Sequence, residues 1–218
     1  MDLPISRDIL ALRREYSTDE MHADDLDPSP ILQFEKWLRQ AITAQIYEPN
    51  AMALATATRA GAPSVRMVLL KSFDERGFVF YTNYGSQKGR ELAENAYAAL
   101  CLYWPELHRQ VRLTGPVSRT SREETEAYFR ARPYGAQIGA LASRQSTPLA
   151  SRDELDSRVA ELQHQYPEGM VPVPDDWGGY RVAAEVIEFW QGRLNRLHDR
   201  LRYTRAAGGG WRIERLAP

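Results

Sequence analysis

Eleven residues near the C-terminus, Trp190-Gln191-Gly192-Arg193-Leu194-Asn195-Arg196-Leu197-His198-Asp199-Arg200, gather three arginines, a histidine, an aspartate and a tryptophan. Read as an extended strand, alternation places Arg196, His198 and Arg200 on one face. Leu197, Asp199 and Leu201 then fall on the other. The first face is a row of cations and hydrogen-bonding groups suited to an anionic ligand. A charge-blunted edge strand has the same pattern, so the segment alone leaves both readings open.

Four further stretches carry groups of the same kind. In Ser64–Lys71 the charges sit near the ends, at Arg66 and Lys71, with opposite parity. A regular strand aims them at opposite faces, so they serve two different anionic groups unless both simply snorkel into water. Tyr81–Lys88 reads as a strand end, a glycine turn and a helix start. Helix N-terminal amides beside Ser86 and Lys88 make a natural phosphate cradle, although any capped helix looks somewhat similar. Tyr128 and Arg132 lie four apart on a helix, hence on one face, where a phenol and a guanidinium suit a phosphate or ordinary surface stacking. Gln145-Ser146-Thr147 is a polar loop with no chemistry of its own. Arg13, Arg14 and Tyr16 close a weakly anchored first helix, either a lid or a frayed arm.

Other chemistries are absent from the pattern. There is no G-x-S-x-G elbow, no H-E-x-x-H and no dinucleotide G-x-G-x-x-G. His22, His108, His164 and His198 lack metal-ligand spacing, so no metal is expected. The chain has 218 residues, 28 basic against 29 acidic, and a net charge of −1. That balance argues against a nucleic-acid-coating protein and leaves the tail arginines as a local feature. Cys101 is the single cysteine, in the apolar run 98–102, which excludes an intramolecular disulfide and favours a buried thiol. No apolar run approaches a membrane span and no apolar signal core opens the chain, so a reduced, cytoplasmic setting is the expectation.

These groups need a scaffold. Residues 6–16 have helical character, and Ser29-Pro30 starts a helix with Ile31, Phe34, Leu38, Ile42 and Ile46 at helical spacing. The spacing then predicts strands over 52–58, 64–71, 78–83, 98–104, 110–118, 179–190, 198–204 and 211–216. A short helix follows the Ser86 cap, and capping boxes at Ser121 and Ser151 open helices to about Arg130 and Tyr166. Successive strands on short turns imply a mostly antiparallel sheet closed toward a barrel, with helices around it: an α+β fold.

Taken together, the blocks Arg13-Arg14-Glu15-Tyr16, Arg66–Lys71, Tyr81–Lys88, Arg109-Gln110-Val111, Gln145-Ser146 and Glu188-Phe189-Trp190-Gln191 with Arg196-Leu197-His198-Asp199-Arg200 closely resemble the pyridoxamine 5′-phosphate oxidase family. The resemblance runs from about Leu12 to Pro218. It implies an FMN-binding split β-barrel over 29–218, with the C-terminal dimerisation and active-site segment included, and an N-terminal arm or lid over 1–28. By likeness, FMN contacts fall to Arg66, Met67, Val68, Leu69, Leu70, Lys71, Tyr81, Thr82, Gln87, Lys88, Gln110, Gln145, Ser146, Trp190 and Arg200. Substrate contacts fall to Arg13, Tyr16, Lys71, Tyr128, Arg132, Arg196 and His198, the last two being the catalytic pair. Two positions depart from the family pattern. Gln87 stands where an arginine usually precedes the lysine, and Ala136 where a serine usually helps hold the substrate phosphate. Both losses should weaken binding before they abolish activity.

The implied activity is FMN-dependent oxidation of pyridoxamine 5′-phosphate or pyridoxine 5′-phosphate to pyridoxal 5′-phosphate. Hydride passes from C4′ to flavin N5 and dioxygen is reduced to hydrogen peroxide, in a homodimer with flavin in clefts between subunits. The rival readings are a flavin or pyridoxal phosphate carrier without turnover, and a split-barrel reductase with another substrate.

Overall fold

Ser29, Ser86, Ser121 and Ser151 each start a helix in the computed structural model, which describes residues 15–16 and 20–218. Each hydroxyl accepts from the amide three residues on: Leu32 at 3.4 Å, Gly89 at 3.3 Å, Glu124 at 3.1 Å and Glu154 at 3.2 Å. At Ser121 the box is complete, because Glu124 Oε2 accepts the Ser121 amide. At Ser151 it is half made, since the Glu154 carboxylate accepts from the Ala150 amide instead.

In chain order the elements are α1 (Pro30–Thr43), β1 (Ala51–Ala57), β2 (Pro63–Leu69), β3 (Ser72–Asp74), β4 (Gly77–Asn83) and α2 (Gln87–Glu94). There follow β5 (Tyr97–Trp104), β6 (Arg109–Arg119), α3 (Arg122–Ala131), α4 (Tyr134–Ala142) and α5 (Arg152–Gln165). The chain ends with β7 (Trp177–Val182), β8 (Val186–Gln191), β9 (Asp199–Arg205) and β10 (Trp211–Leu216). They divide between two units: the described residues up to 49, 103–112 and 186–218 in the first, 50–102 and 113–185 in the second.

The first unit sets α1 with an antiparallel ladder, β10-β9-β8 and the start of β6. The stripe that faces inward on α1 is Ile31, Phe34, Trp37 and Ala41. Trp37 meets Phe189 edge-on at 5.1 Å, and the Arg109 guanidinium lies 4.5 Å over the Trp37 ring.

The second unit holds two antiparallel ladders, β5-β1-β2 and β6-β7-β4-β3. On β1 the period-two pattern buries Met52, Leu54 and Thr56 while Ala51, Ala53, Ala55 and Ala57 face out. On β4 the run Gly77-Phe78-Val79-Phe80 is buried throughout, as expected of a strand covered on both faces. Against this sheet Phe129 of α3, Ile138 of α4, Val171 and Trp177 form a separate apolar cluster.

Three sequence expectations change here. The single strand over 179–190 is two strands, because residues 183–185 step from one ladder to the next while still bonding β6. The Ala183 amide donates to the Pro116 carbonyl and the Glu185 amide to that of Thr114, each at 2.9 Å. Gly115 permits this approach, since a Cβ there would lie 1.9 Å from the Ala183 carbonyl oxygen. The strand placing Arg196, His198 and Arg200 on one face starts only at Asp199. Residues 194–196 form a 3-10 turn with positive φ at Asn195 (56°) and Arg196 (62°), which breaks the alternation. Helix α4 had no counterpart in the sequence reading. The helix expected over 6–16 lies largely outside the described residues, and Glu15 and Tyr16 are not helical.

Candidate functional site

The second unit contains a cavity of about 580 Å³ at the meeting of β2, β4 and helices α2 to α4. One edge is Met67, Val68 and Leu69 of β2, followed by Lys71 beyond the strand end. From β4 come Tyr81, Thr82 and Asn83, and from the first turn of α2 comes Lys88. The opposite wall is Tyr128 and Arg132, then the small residues Ala136, Gly139 and Ala140 of α4, then Ser143 and Gln145.

Two basic clusters stand in this unit. In one, Tyr81 stacks on Tyr128 at 4.0 Å and on Trp177 at 5.5 Å, making an aromatic floor. The Arg132 guanidinium lies 4.6 Å over Trp177, and its Nη1 is buried without a hydrogen-bond partner. Burial pushes the Arg132 pKa down, against the opposing influence of Tyr128. Lys71 joins from the far side, its Nζ 5.8 Å from the centre of the Tyr128 ring.

The other cluster surrounds Lys88, which is buried. Its Nζ donates to Gln145 Oε1 at 2.8 Å, Thr82 Oγ1 at 3.2 Å and Ser86 Oγ at 3.4 Å, all neutral groups. Burial, and then the charge of Arg66, lower its pKa to about 8. Helix α2 can seat Lys88 there because Gly89 has no side chain: a Cβ would lie 2.1 Å from the Tyr84 carbonyl oxygen.

Arg66 points away from the cavity. It donates to the Leu54 carbonyl at 3.2 Å, Thr56 at 2.6 Å, Ser64 at 2.5 Å and Glu91 at 3.2 Å. Burial alone would raise the Glu91 pKa, but hydrogen bonds from Ser64, Thr56 and Gln87 and the Arg66 charge hold it at about 2. Gln87 donates to Glu91 Oε1 at 2.9 Å and lies outside the cavity lining. The opposite parity of Arg66 and Lys71 therefore does not set the directions of the two side chains. The strand ends at Leu69, and Arg66 is already spent on an internal carboxylate.

In the first unit the tail residues form an aromatic and cationic cluster. Trp190 and His198 are 4.6 Å apart, with the Tyr16 ring edge-on to both at 5.7 and 5.2 Å. Arg196 lies 5.1 Å over the Tyr16 ring and donates to its hydroxyl at 3.3 Å. His198 Nδ1 accepts the Arg193 amide at 3.1 Å, which fixes the ring and puts the proton of the neutral imidazole on Nε2. Burial, then the Arg196 charge, lower the His198 pKa, favouring neutral imidazole. Arg200 is engaged elsewhere: Nε and Nη2 pair with Glu188 at 3.0 and 3.1 Å, and Nη1 donates to the Ala217 carbonyl at 2.9 Å.

Of the residues singled out in the sequence, eleven line the cavity: Met67, Val68, Leu69, Lys71, Tyr81, Thr82, Lys88, Tyr128, Arg132, Ala136 and Gln145. Tyr16, Trp190, Arg196 and His198 meet in the tail cluster. Arg66, Leu70, Gln87, Gln110, Ser146 and Arg200 are in neither lining nor cluster. Arg13 lies outside the described residues. The sequence reading missed Asn83, Pro133, Gly139, Ala140, Ser143 and Trp177. The small-residue face of α4 carries no sequence signal, because Gly135 and Gly139 give the stretch little helical character of its own. No metal-binding group of histidine, cysteine or carboxylate side chains occurs among the described residues.

An antiparallel sheet with surrounding helices and a basic cavity on its face is the architecture of the split β-barrel proteins. A crystal structure of PhzG from Burkholderia lata, in complex with tetrahydrophenazine-1-carboxylic acid, superposes with a TM-score of 0.87. It is 36% identical and covers 93% of this chain and 100% of that one. An FMN-binding protein from Nostoc punctiforme, at TM-score 0.70 and 16% identity, shares the fold. Residues 38–166 match the family model described as pyridoxamine 5′-phosphate oxidase. Residues 177–218 match the model for the pyridoxine 5′-phosphate oxidase C-terminal dimerisation region. A pyridoxine/pyridoxamine 5′-phosphate oxidase of Rubrobacter xylanophilus is 59% identical over 212 residues, 97% of each chain. One from a Nostoc species is 51% identical, covering 98% of this chain and 100% of its own. The chain belongs to the pyridoxamine 5′-phosphate oxidase family.

Proposed function

We propose that the protein is an FMN-dependent oxidase that converts pyridoxamine 5′-phosphate or pyridoxine 5′-phosphate to pyridoxal 5′-phosphate, with dioxygen reduced to hydrogen peroxide. The observation that carries this reading is the pair of cationic clusters in one cavity, neither neutralised by a carboxylate within it. Arg132 has a buried donor without a partner, and Lys88 is buried among neutral oxygens. Such groups suit two phosphates better than they suit each other.

The residues present fit the cofactor. Lys88, Thr82 and Gln145 would hold the FMN phosphate, with Arg66 behind them adding positive potential and Ser146 beside them. The β2 edge from Met67 to Lys71, with Leu70 beneath it, and Tyr81 would flank the ring. Gln110, Trp190 and Arg200 complete the set by family likeness, while Gln87 contributes indirectly through Glu91. When bound, FMN supplies the two-electron redox chemistry that no side chain here offers. Lys71, Tyr128 and Arg132 would hold the substrate phosphate. Arg196 and His198 would orient the pyridine ring, with His198 as a neutral imidazole donating from Nε2, and Arg13 and Tyr16 would cover it.

Homodimerisation agrees with the dimerisation model matched by residues 177–218. It also suits the outer face of β1 and β2, where four alanines lie beside exposed Val65 and Met67. A cytoplasmic setting accords with a single cysteine. Among the described residues no helix is long and apolar enough to cross a membrane. The test is a visible spectrum after FMN titration together with a peroxide assay on both phosphorylated vitamers. A yellow protein that releases peroxide is the expected result; a protein that FMN cannot reconstitute overturns the reading.

A further inference from the structure

One ion-pair network of the second unit lies outside the cavity yet ends on it. Arg181 of β7 is nearly buried, with its side chain 11% exposed. Its Nη1 donates to Asp74 Oδ1 at 3.0 Å, and its Nη2 to Glu124 Oε1 at 2.8 Å. Asp74 ends β3 and Glu124 sits in the first turn of α3, so one guanidinium ties hairpin, sheet and helix together. Glu124 has a second task, because its Oε2 accepts the Ser121 amide and closes the capping box. Its backbone carbonyl also accepts the Tyr81 hydroxyl at 3.3 Å.

Glu124, Tyr128 and Arg132 are spaced four and four, so they form one stripe along α3 and its C-cap. The stripe is pinned at Glu124 and carries the anion-binding groups at its far end. Eight residues of helix span about 12 Å, so a small rotation at the pin displaces Tyr128 and Arg132 from their places over Tyr81 and Trp177. We propose that Arg181 is a positioning residue for substrate recognition: by bridging Asp74 and Glu124 it fixes the rotation of α3 and sets Tyr128 and Arg132 for the substrate phosphate. This rests on the oxidase reading above.

Removing Arg181 does not strand the carboxylates in the interior. Arg76 still pairs with Asp74 at 2.7 Å and with Glu124 at 3.3 Å. Arg76 is an exposed residue of the hairpin itself, so without Arg181 helix α3 loses its tie to β7, and the lesion falls on geometry more than on folding. The Lys88 cluster that would hold the cofactor's phosphate does not involve α3, and the cofactor's ring meets α3 only through Tyr81, so FMN affinity, dominated by the phosphate, is the internal control.

The experiment compares holoenzymes of the wild type, Arg181→Met and Arg181→Lys. It reads kcat and KM for pyridoxine 5′-phosphate, pyridoxal 5′-phosphate binding by calorimetry, and FMN affinity by flavin fluorescence. For Arg181→Met the expected result is about a tenfold rise in KM and in the pyridoxal phosphate Kd, with kcat and FMN affinity within about twofold. Arg181→Lys reaches one carboxylate and falls between. Unchanged KM and product affinity overturn the proposal, as does a parallel loss of FMN affinity, which marks general loosening. Should Arg181→Met not fold, Asp74→Asn removes one anchor from a half-exposed residue and must show the same split at smaller size; without it the proposal fails. A wild-type holoenzyme inert on pyridoxine 5′-phosphate overturns the oxidase reading instead. An active wild type with an indifferent Arg181→Met overturns the positioning role alone.

Discussion

Arg66 and Arg132 are both half-buried arginines in the same unit, yet they stand in opposite conditions. Arg66 has four acceptors, one of them a carboxylate held at about 2. Among the described residues Arg132 has a buried Nη1 with no acceptor, and no carboxylate pairs with it. The first is a completed internal ion pair whose field reaches Lys88; the second is half of an interaction whose other half must arrive. Positive charge alone does not mark a ligand site. At Arg132 the charge comes with a cavity wall and a buried donor that an incoming anion would satisfy.

The largest effect that separates the two arginines is on stability. Arg66→Met leaves Glu91 buried without its cation, a loss of about 3–5 kcal/mol. At about 2–4 °C per kcal/mol for a chain of this size, the melting temperature should fall by about 10 °C or more. Arg132→Met should melt close to the wild type, or above it, and raise KM for the phosphorylated vitamer about a hundredfold, the cost of one charge-assisted contact. Thermal melts of both variants with steady-state kinetics of the second check this, and matching melting losses would erase the distinction.

A smaller effect concerns Lys88. Its pKa is lowered to about 8, whereas a bound phosphate dianion must raise it again. FMN affinity should therefore be level below pH 8 and weaken as pH rises through about 8, up to tenfold per unit until the bound-state pKa is reached. Lys88→Met should bind more weakly throughout and lose that step. An FMN fluorescence titration from pH 6.5 to 9.5 reads both; a wild-type profile flat through pH 9 would remove Lys88 from the phosphate site. The smallest effect is at Ala136, which lines the cavity near Arg132. Ala136→Ser should lower KM about threefold to tenfold, the worth of one neutral hydrogen bond. An unchanged KM would place the substrate phosphate away from α4.

The sequence disclosed most of what depends on near neighbours. The four serine caps are local chemistry, and β10 runs over Trp211–Leu216, the span read after the glycine turn. What escaped it depends on distant partners. Helix α4 contains Gly135 and Gly139, poor helix formers in isolation, and is held by contacts such as the Tyr134 hydroxyl on the Tyr166 carbonyl at 2.8 Å. The break between β7 and β8 is imposed by the close approach of β6 at Gly115. In the candidate site, Lys71, Lys88, Tyr128 and Arg132 could be picked out by type and spacing. That Arg66 turns inward could not, because the deciding group, Glu91, lies twenty-five residues along the chain on α2. Nor could Trp177, the surface beneath Arg132, which arrives on a strand forty-five residues beyond that arginine.

The most direct test of the account compares peroxide release by the FMN-loaded protein on pyridoxine 5′-phosphate and on unphosphorylated pyridoxine. If one cavity grips two phosphates, kcat/KM should favour the phosphorylated compound by at least about a thousandfold. Comparable rates on the two, or no turnover of either by the yellow protein, would contradict it.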